Sequence, residues 1–72
     1  MKISARNMLK GIIKEIKEGA VNDEIIVELP NGMEITSVIT KSSVQNLGLE
    51  KSKEVYAVIK ASNVMIAVDD WK

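Results

Sequence analysis

Three short polar segments contain the residues of this 72-residue chain that could bind a ligand: SARN, TKSS and KASNV. SARN contains the only arginine, Arg6, which presents a rigid fork of five N–H donors, whereas a lysine presents a point charge. Each segment lies at a predicted strand end or connection, where backbone N–H groups are available. Cations, hydroxyls and backbone amides together are the groups that bind a tetrahedral dianion. The candidate anion-binding residues are Ser4, Arg6 and Asn7 in SARN, Thr40, Ser42 and Ser43 in TKSS, and Lys60, Ala61, Ser62 and Asn63 in KASNV.

These residues also have structural explanations. Ser4 and Asn7 are common in turns. Ser43 is a good helix cap, and Lys60 fits a solvated strand end. The residues alone leave both interpretations open.

Catalysis has few candidates. The chain has no histidine or cysteine, no serine in a nucleophile-elbow motif, and only four scattered glycines, so it lacks a phosphate loop. The acidic pairs Asp23/Glu24, at a predicted turn, and Asp69/Asp70, in a polar tail, are interpreted as solvated surface charge. We therefore predict a chain that is not an enzyme and has no direct metal ligands.

The composition restricts the partners. Ten basic and ten acidic residues give a formal net charge of zero without a basic patch, which argues against nucleic-acid binding. No apolar run approaches the ~20 residues that span a bilayer, and polar residues follow Met1 directly, so we predict a cytoplasmic protein without membrane contact. Hydrophobic residues make up 46% of the chain, which has no disulfide, and this favours self-association.

The hydropathy pattern predicts five strands and one helix. Residues 2–18 form a long bent strand in which Gly11 marks a bulge or a close approach. EIIVELPNGMEITSVIT is typical of a β-hairpin with a turn at PNG. A short helix follows, with Ser42 or Ser43 as its cap and Gly48 at its end. EVYAVIK and VMIAV are the last two strands. The predicted fold is all-β: a small five-stranded OB-type barrel with one short helix between strands 3 and 4, in a single domain (residues 1–72) with a polar tail (68–72).

SARN, GMEITSVITKSSVQNLGL and KASNVMIA together resemble the molbindins, the free-standing form of the Mop domain. The resemblance covers residues 2–67, and SARN with the late KASNV is its specific part. It implies an OB-type barrel and a homohexamer, arranged as a trimer of dimers, that binds molybdate or tungstate between subunits and stores or buffers the anion.

The resemblance also implies roles for individual residues. The family's SARN falls on Ser4, Ala5, Arg6 and Asn7, of which Ser4 and Arg6 would contact the anion. Thr40 and Ser43 match a Thr-x-x-Ser pair, and Lys60 matches the lysine of the terminal motif, which also includes Ser62. Ala61 offers its backbone N–H. The departures from the family pattern are Met8, Ser62 and the tail VDDWK, none of which alters a matched ligand position.

Two other functions remain open at this stage. One is a generic OB-type module for oligonucleotides or oligosaccharides, although such modules stack bases on aromatic side chains and this chain has only Tyr56 and Trp71. The other is a scaffold without a ligand, in which Arg6 is a surface residue.

Overall fold

The computed structural model describes residues 2–69, which form four antiparallel strands and one short helix. The elements are β1 (Asn7–Glu18), β2 (Asn22–Glu28), β3 (Glu34–Thr40), α1 (Lys41–Leu47) and β4 (Glu54–Ile59), followed by a 3-10 turn (Ala61–Asn63). The sheet order is β3-β2-β1-β4. No helix within the described residues is long and apolar enough to cross a membrane.

Strand β1 holds the sheet together because it pairs with β4 along its first half and with β2 along its second half. The register with β2 shifts between Ile13 and Glu15, which marks a bulge and bends the strand. Gly11 is buried, and a Cβ at this position would lie 2.7 Å from the carbonyl oxygen of Glu28 and 2.7 Å from Val27 Cγ1. The predicted bent strand, with a close approach at its glycine, is confirmed for Asn7–Glu18, whereas its predicted first part, residues 2–6, is irregular.

The predicted hairpin is also confirmed, since β2 and β3 pair from Asn22–Thr40 to Glu28–Glu34. Its turn uses the left-handed conformation of Gly32 (φ +86°), which glycine adopts without a steric penalty. The Asn31 side chain accepts a hydrogen bond from the Met33 N–H at 3.0 Å.

The core lies inside the curve of the sheet. Ile13, Ile25 and Val27 are buried there, and Val44 of α1 and Leu49 pack against them. The helix therefore covers one end of the curve. The inner faces of β3 and β4 remain apart and line an open apolar trough of about 500 Å³.

The predicted fifth strand, VMIAV (residues 64–68), is wrong, because residues 64–69 have no regular secondary structure. Their side chains are open to solvent: Met65 is 92% exposed, Ile66 86% and Val68 81%. VMIAV has the composition of a strand, but a strand is completed by hydrogen bonds to a neighbour, and within residues 2–69 this segment has no neighbouring strand. The fold is therefore a four-stranded half-barrel, open between β3 and β4, rather than a closed five-stranded barrel.

The helix between the third and fourth strands is confirmed. Residues 70–72 of the predicted tail lie outside the described residues, and the single domain remains a prediction.

Adding one methyl group at the close approach tests this packing. We expect Gly11→Ala to lower the free energy of unfolding by about 1–3 kcal/mol, because the clashing Glu28 oxygen belongs to the backbone. Urea denaturation followed by circular dichroism measures the change. Lys10→Ala is the control, since its exposed ion pair with Glu54 contributes less than about 1 kcal/mol. Equal stability of Gly11→Ala and wild type would contradict the packing described.

Candidate functional site

The last pair of the β1–β4 ladder brings two of the predicted polar segments together. Asn7 pairs with Ile59, and the Asn7 side chain donates a hydrogen bond to the Ile59 carbonyl oxygen at 3.3 Å. Arg6 and Lys60 are the next residues beyond this pair. SARN and KASNV, far apart in sequence, therefore lie at the same end of the sheet.

Arg6 and Lys60 carry charges that no carboxylate balances among residues 2–69. Both are exposed, and neither forms an ion pair within the described chain. Four of the other lysines have carboxylate partners within residues 2–69: Lys10–Glu54, Lys14–Glu34, Lys17–Glu24 and Lys41–Asp23. Like charges at neighbouring cross-strand positions repel each other. A bound anion would remove this repulsion.

The residues around the two cations supply further donors. The 3-10 turn begins after Lys60, whose carbonyl oxygen accepts from the Asn63 N–H at 2.8 Å. Ala61 and Ser62 lie between the two residues joined by this bond, and both are exposed, so their N–H groups can donate to a ligand. Ser4 and Ala5 lie in the irregular segment before β1. This end of the sheet thus combines two cations, hydroxyls and backbone amides.

The third segment forms a separate hydroxyl cluster, consisting of Thr40, Ser42 and Ser43. Thr40 Oγ1 accepts from the Ser43 N–H at 3.1 Å, lies 3.1 Å from Ser42 Oγ and donates to Ser43 Oγ at 2.9 Å. Thr40 is therefore the cap of α1, and the predicted caps Ser42 and Ser43 are wrong. A residue before the first turn can reach the N–H three positions later, which a residue inside the turn cannot. Gly48 ends the helix in the left-handed conformation, as predicted.

The hydroxyl cluster lies at the opposite end of β1 from Arg6 and Lys60. Thr40 pairs with Asn22 at the start of β2, and the neighbouring Asp23 pairs with Glu18, the last residue of β1. A straight strand of 12 residues would measure on the order of 35 Å. The structure thus joins Ser4–Asn7 to Lys60–Ser62 within one chain and places Thr40 and Ser43 away from them.

The burial of Asp23 differs from the prediction made from the sequence. The residue was predicted to be a solvated surface charge, but it is only 4% exposed. Its carboxylate accepts from Lys41 Nζ at 2.9 Å, and this hydrogen bond raises the pKa of Lys41 above its usual value. The missed signal was parity, since Asp23 shares the inward face of β2 with Ile25 and Val27. No group of three or more acidic side chains in residues 2–69 is arranged to hold a metal ion.

Comparison with known proteins gives a consistent result. The TOBE domain family matches residues 3–66. Molybdenum-pterin-binding protein 1 of Clostridium pasteurianum is 46% identical over 66 residues, which cover 92% of this chain and 97% of that protein.

Two solved structures share the fold. A molybdate-binding protein from Sporomusa ovata superimposes with a TM-score of 0.89 at 37% identity, covering 94% of this chain and all of that one. The cytoplasmic molybdate-binding protein ModG, solved with molybdate bound, gives a TM-score of 0.87 at 51% identity, covering 90% of this chain and 46% of that one. These relatives are named as binding proteins, which confirms the prediction that the chain is not an enzyme.

The hydroxyl cluster gives a local test of the fold. We expect Thr40→Val to lower the free energy of unfolding by about 1 kcal/mol, because the capping oxygen is lost while the β-branched shape is kept. Thr40→Ser keeps the oxygen and is expected to change the stability much less. Thermal unfolding of both variants measures the difference. Equal losses in the two variants would show that the hydroxyl does not cap the helix.

Proposed function

This chain belongs to the TOBE domain family, as its resemblance to the Mop domain predicted, and we propose that it binds molybdate. The observation that carries the proposal is the pair Arg6 and Lys60, two exposed cations that the β1–β4 ladder brings to one end of the sheet without an ion-pair partner in residues 2–69. An oxyanion with two negative charges matches this pair in sign and number.

The surrounding donors suit a fully ionised oxyanion. The proposed shell contains the Arg6 fork, the Lys60 ammonium, the side chains of Ser4, Asn7 and Ser62, and the backbone N–H groups of Ala5 and Ala61. Charge-assisted hydrogen bonds from such groups are about twice as strong as neutral ones. Tungstate has the same charge and tetrahedral shape, so the same shell is expected to accept it.

We propose that the anion sites are completed by a second copy of the chain. The resemblance to the molbindins implies that Thr40 and Ser43 bind the anion, but both residues lie at the other end of β1. A neighbouring copy can bring its hydroxyl cluster to the Arg6–Lys60 end, which this chain's own cluster does not reach. The names of the relatives support the ligand, since they describe molybdate-binding and molybdenum-pterin-binding proteins.

Self-association is supported by the uncovered apolar surface. The trough between β3 and β4 is open, and Met65, Ile66 and Val68 face solvent. Contiguous exposed apolar surface marks contact sites between proteins. We propose a homo-oligomer, with the hexamer suggested by the resemblance as the expected size, and a role in cytoplasmic storage or buffering of the anion.

Calorimetric titration with molybdate tests the ligand and its site together. We expect wild type to bind, and Arg6→Ala or Lys60→Ala to weaken binding by about one to two orders of magnitude, because hydrogen bonds to charged groups contribute about 1.5–3 kcal/mol each. Sulfate is expected to bind at least about tenfold more weakly, since a smaller anion leaves buried donors unmade.

Lys14→Ala is the matched control, because Lys14 is an exposed lysine in the middle of β1 that pairs with Glu34 and lies outside the proposed shell. Variants of Arg6 and Lys60 that bind like wild type would refute the site assignment while leaving the ligand in place. A wild-type protein that binds a short oligonucleotide and not molybdate would refute the function.

Light scattering at micromolar concentration tests self-association. We expect an oligomer in wild type and a smaller species in Ile66→Asp, because a charge placed in an apolar contact is costly to bury. Lys14→Ala is expected to keep the wild-type size. A stable folded monomer of wild type would contradict the proposal, and a dimer would contradict only the hexamer.

A further inference from the structure

A buried carboxylate lies under the hydroxyl cluster. Asp23 is buried next to the aliphatic core, and its Oδ1 accepts from the backbone N–H of Gly19 at 3.3 Å and from Lys41 Nζ at 2.9 Å. A buried charge is unfavourable unless it is paired and hydrogen-bonded. Two aliphatic residues at these positions would often make the protein at least as stable as the ion pair does. Stability therefore does not explain the pair, and its location beside the hydroxyl cluster has to be considered.

Lys41 connects this carboxylate to the hydroxyl cluster. It lies between Thr40 and Ser42 in sequence, and it is held to the β1–β2 connection at two points. Its backbone N–H donates to the Val21 carbonyl oxygen at 3.0 Å, and its ammonium contacts Asp23 and, at 3.2 Å, Glu18. The segment that carries the three hydroxyls is thus fastened through the backbone and through a side chain.

We propose that Asp23 is a positioning residue for anion binding, which acts through Lys41 to hold the hydroxyls of Thr40, Ser42 and Ser43 in the arrangement that meets the oxyanion. The inference rests on the proposed function of Thr40 and Ser43. Without the ion pair, the segment keeps its backbone bond to Val21, the pairing of Thr40 with Asn22 and the packing of Val44, but loses its side-chain attachment. The hydroxyls then sample more orientations, and fewer of these match an anion.

The alternative is that Lys41 contacts the anion directly. Its ammonium is already engaged by two carboxylates, Asp23 and Glu18, whose negative charges would repel an incoming anion. The two roles make opposite predictions for the removal of the Asp23 charge. Loss of a positioning carboxylate weakens binding, whereas loss of a competing carboxylate strengthens it.

Titration of the full chain with molybdate separates these roles. We expect Asp23→Asn and Lys41→Met each to weaken binding by about tenfold, and the double variant to be no weaker than either single variant, because the two residues act as one unit. Lys14→Met is the control, since it removes an exposed lysine–glutamate pair on the outer face of the sheet, and its affinity is expected to match wild type.

Hydrogen exchange at the Ser43 amide, which donates to Thr40 Oγ1, gives a readout that needs no ligand. We expect exchange there to be about tenfold faster in Asp23→Asn and Lys41→Met, relative to the core amide of Val27, because loosening is local. The double variant leaves no unpaired charge buried and carries the test if a single variant does not fold.

The outcomes are distinct. Wild-type affinity together with wild-type Ser43 exchange in the variants would overturn the positioning role. Tighter binding in Asp23→Asn with weaker binding in Lys41→Met would also overturn it, in favour of direct contact by Lys41. A wild-type protein that does not bind molybdate would refute the proposed function, and the exchange rates would still decide whether Asp23 orders the cluster.

Discussion

The double pairing of β1 is the constraint on which the rest of the structure depends. This strand of 12 residues pairs with β4 along its first half and with β2 along its second half, and it has a bulge between Ile13 and Glu15. The strand can bend over the core because Gly11 lets it approach the backbone of Glu28. Since its two ends lie far apart, the polar groups gathered at them form two clusters: cations at the Asn7 end and hydroxyls at the Glu18 end.

This separation is what the proposed self-association would overcome, by bringing the two clusters of different copies together. Each chain presents charges at one end, hydroxyls at the other, and an apolar trough between β3 and β4 that its own residues 2–69 leave open. If a second copy covers the apolar surface, the same contact can bring hydroxyls to cations. Folding, assembly and anion binding would then be coupled, since anything that binds only the assembled form stabilises it.

Local patterns predicted most of the fold. Alternation and the PNG turn were sufficient for the β2–β3 hairpin, and an isolated glycine in a strand pattern was sufficient for the close approach at Gly11. The prediction of a fifth strand was wrong because an alternating pattern shows only that a segment is suited to a strand. It does not show that the edge of a sheet is available for the segment to pair with. The cap of α1 was misplaced by two or three residues because threonine and serine have similar capping preferences. At the site, the residues alone left the anion-binding and the structural interpretation open, and the family resemblance added the expected roles. Neither revealed that Arg6 and Lys60 flank one strand pair, or that Asp23 is buried, since both depend on register.

Anomalous diffraction at the molybdenum edge, from crystals grown with molybdate, locates the anion directly. We expect a molybdenum peak at the end of the β1–β4 ladder, with oxyanion atoms at hydrogen-bond distance (about 2.7–3.2 Å) from the Arg6 guanidinium and the Lys60 ammonium. We also expect hydroxyls of a neighbouring copy on the open side of the anion. Molybdenum peaks found only elsewhere, with Arg6 and Lys60 both in solvent, would contradict the proposed site.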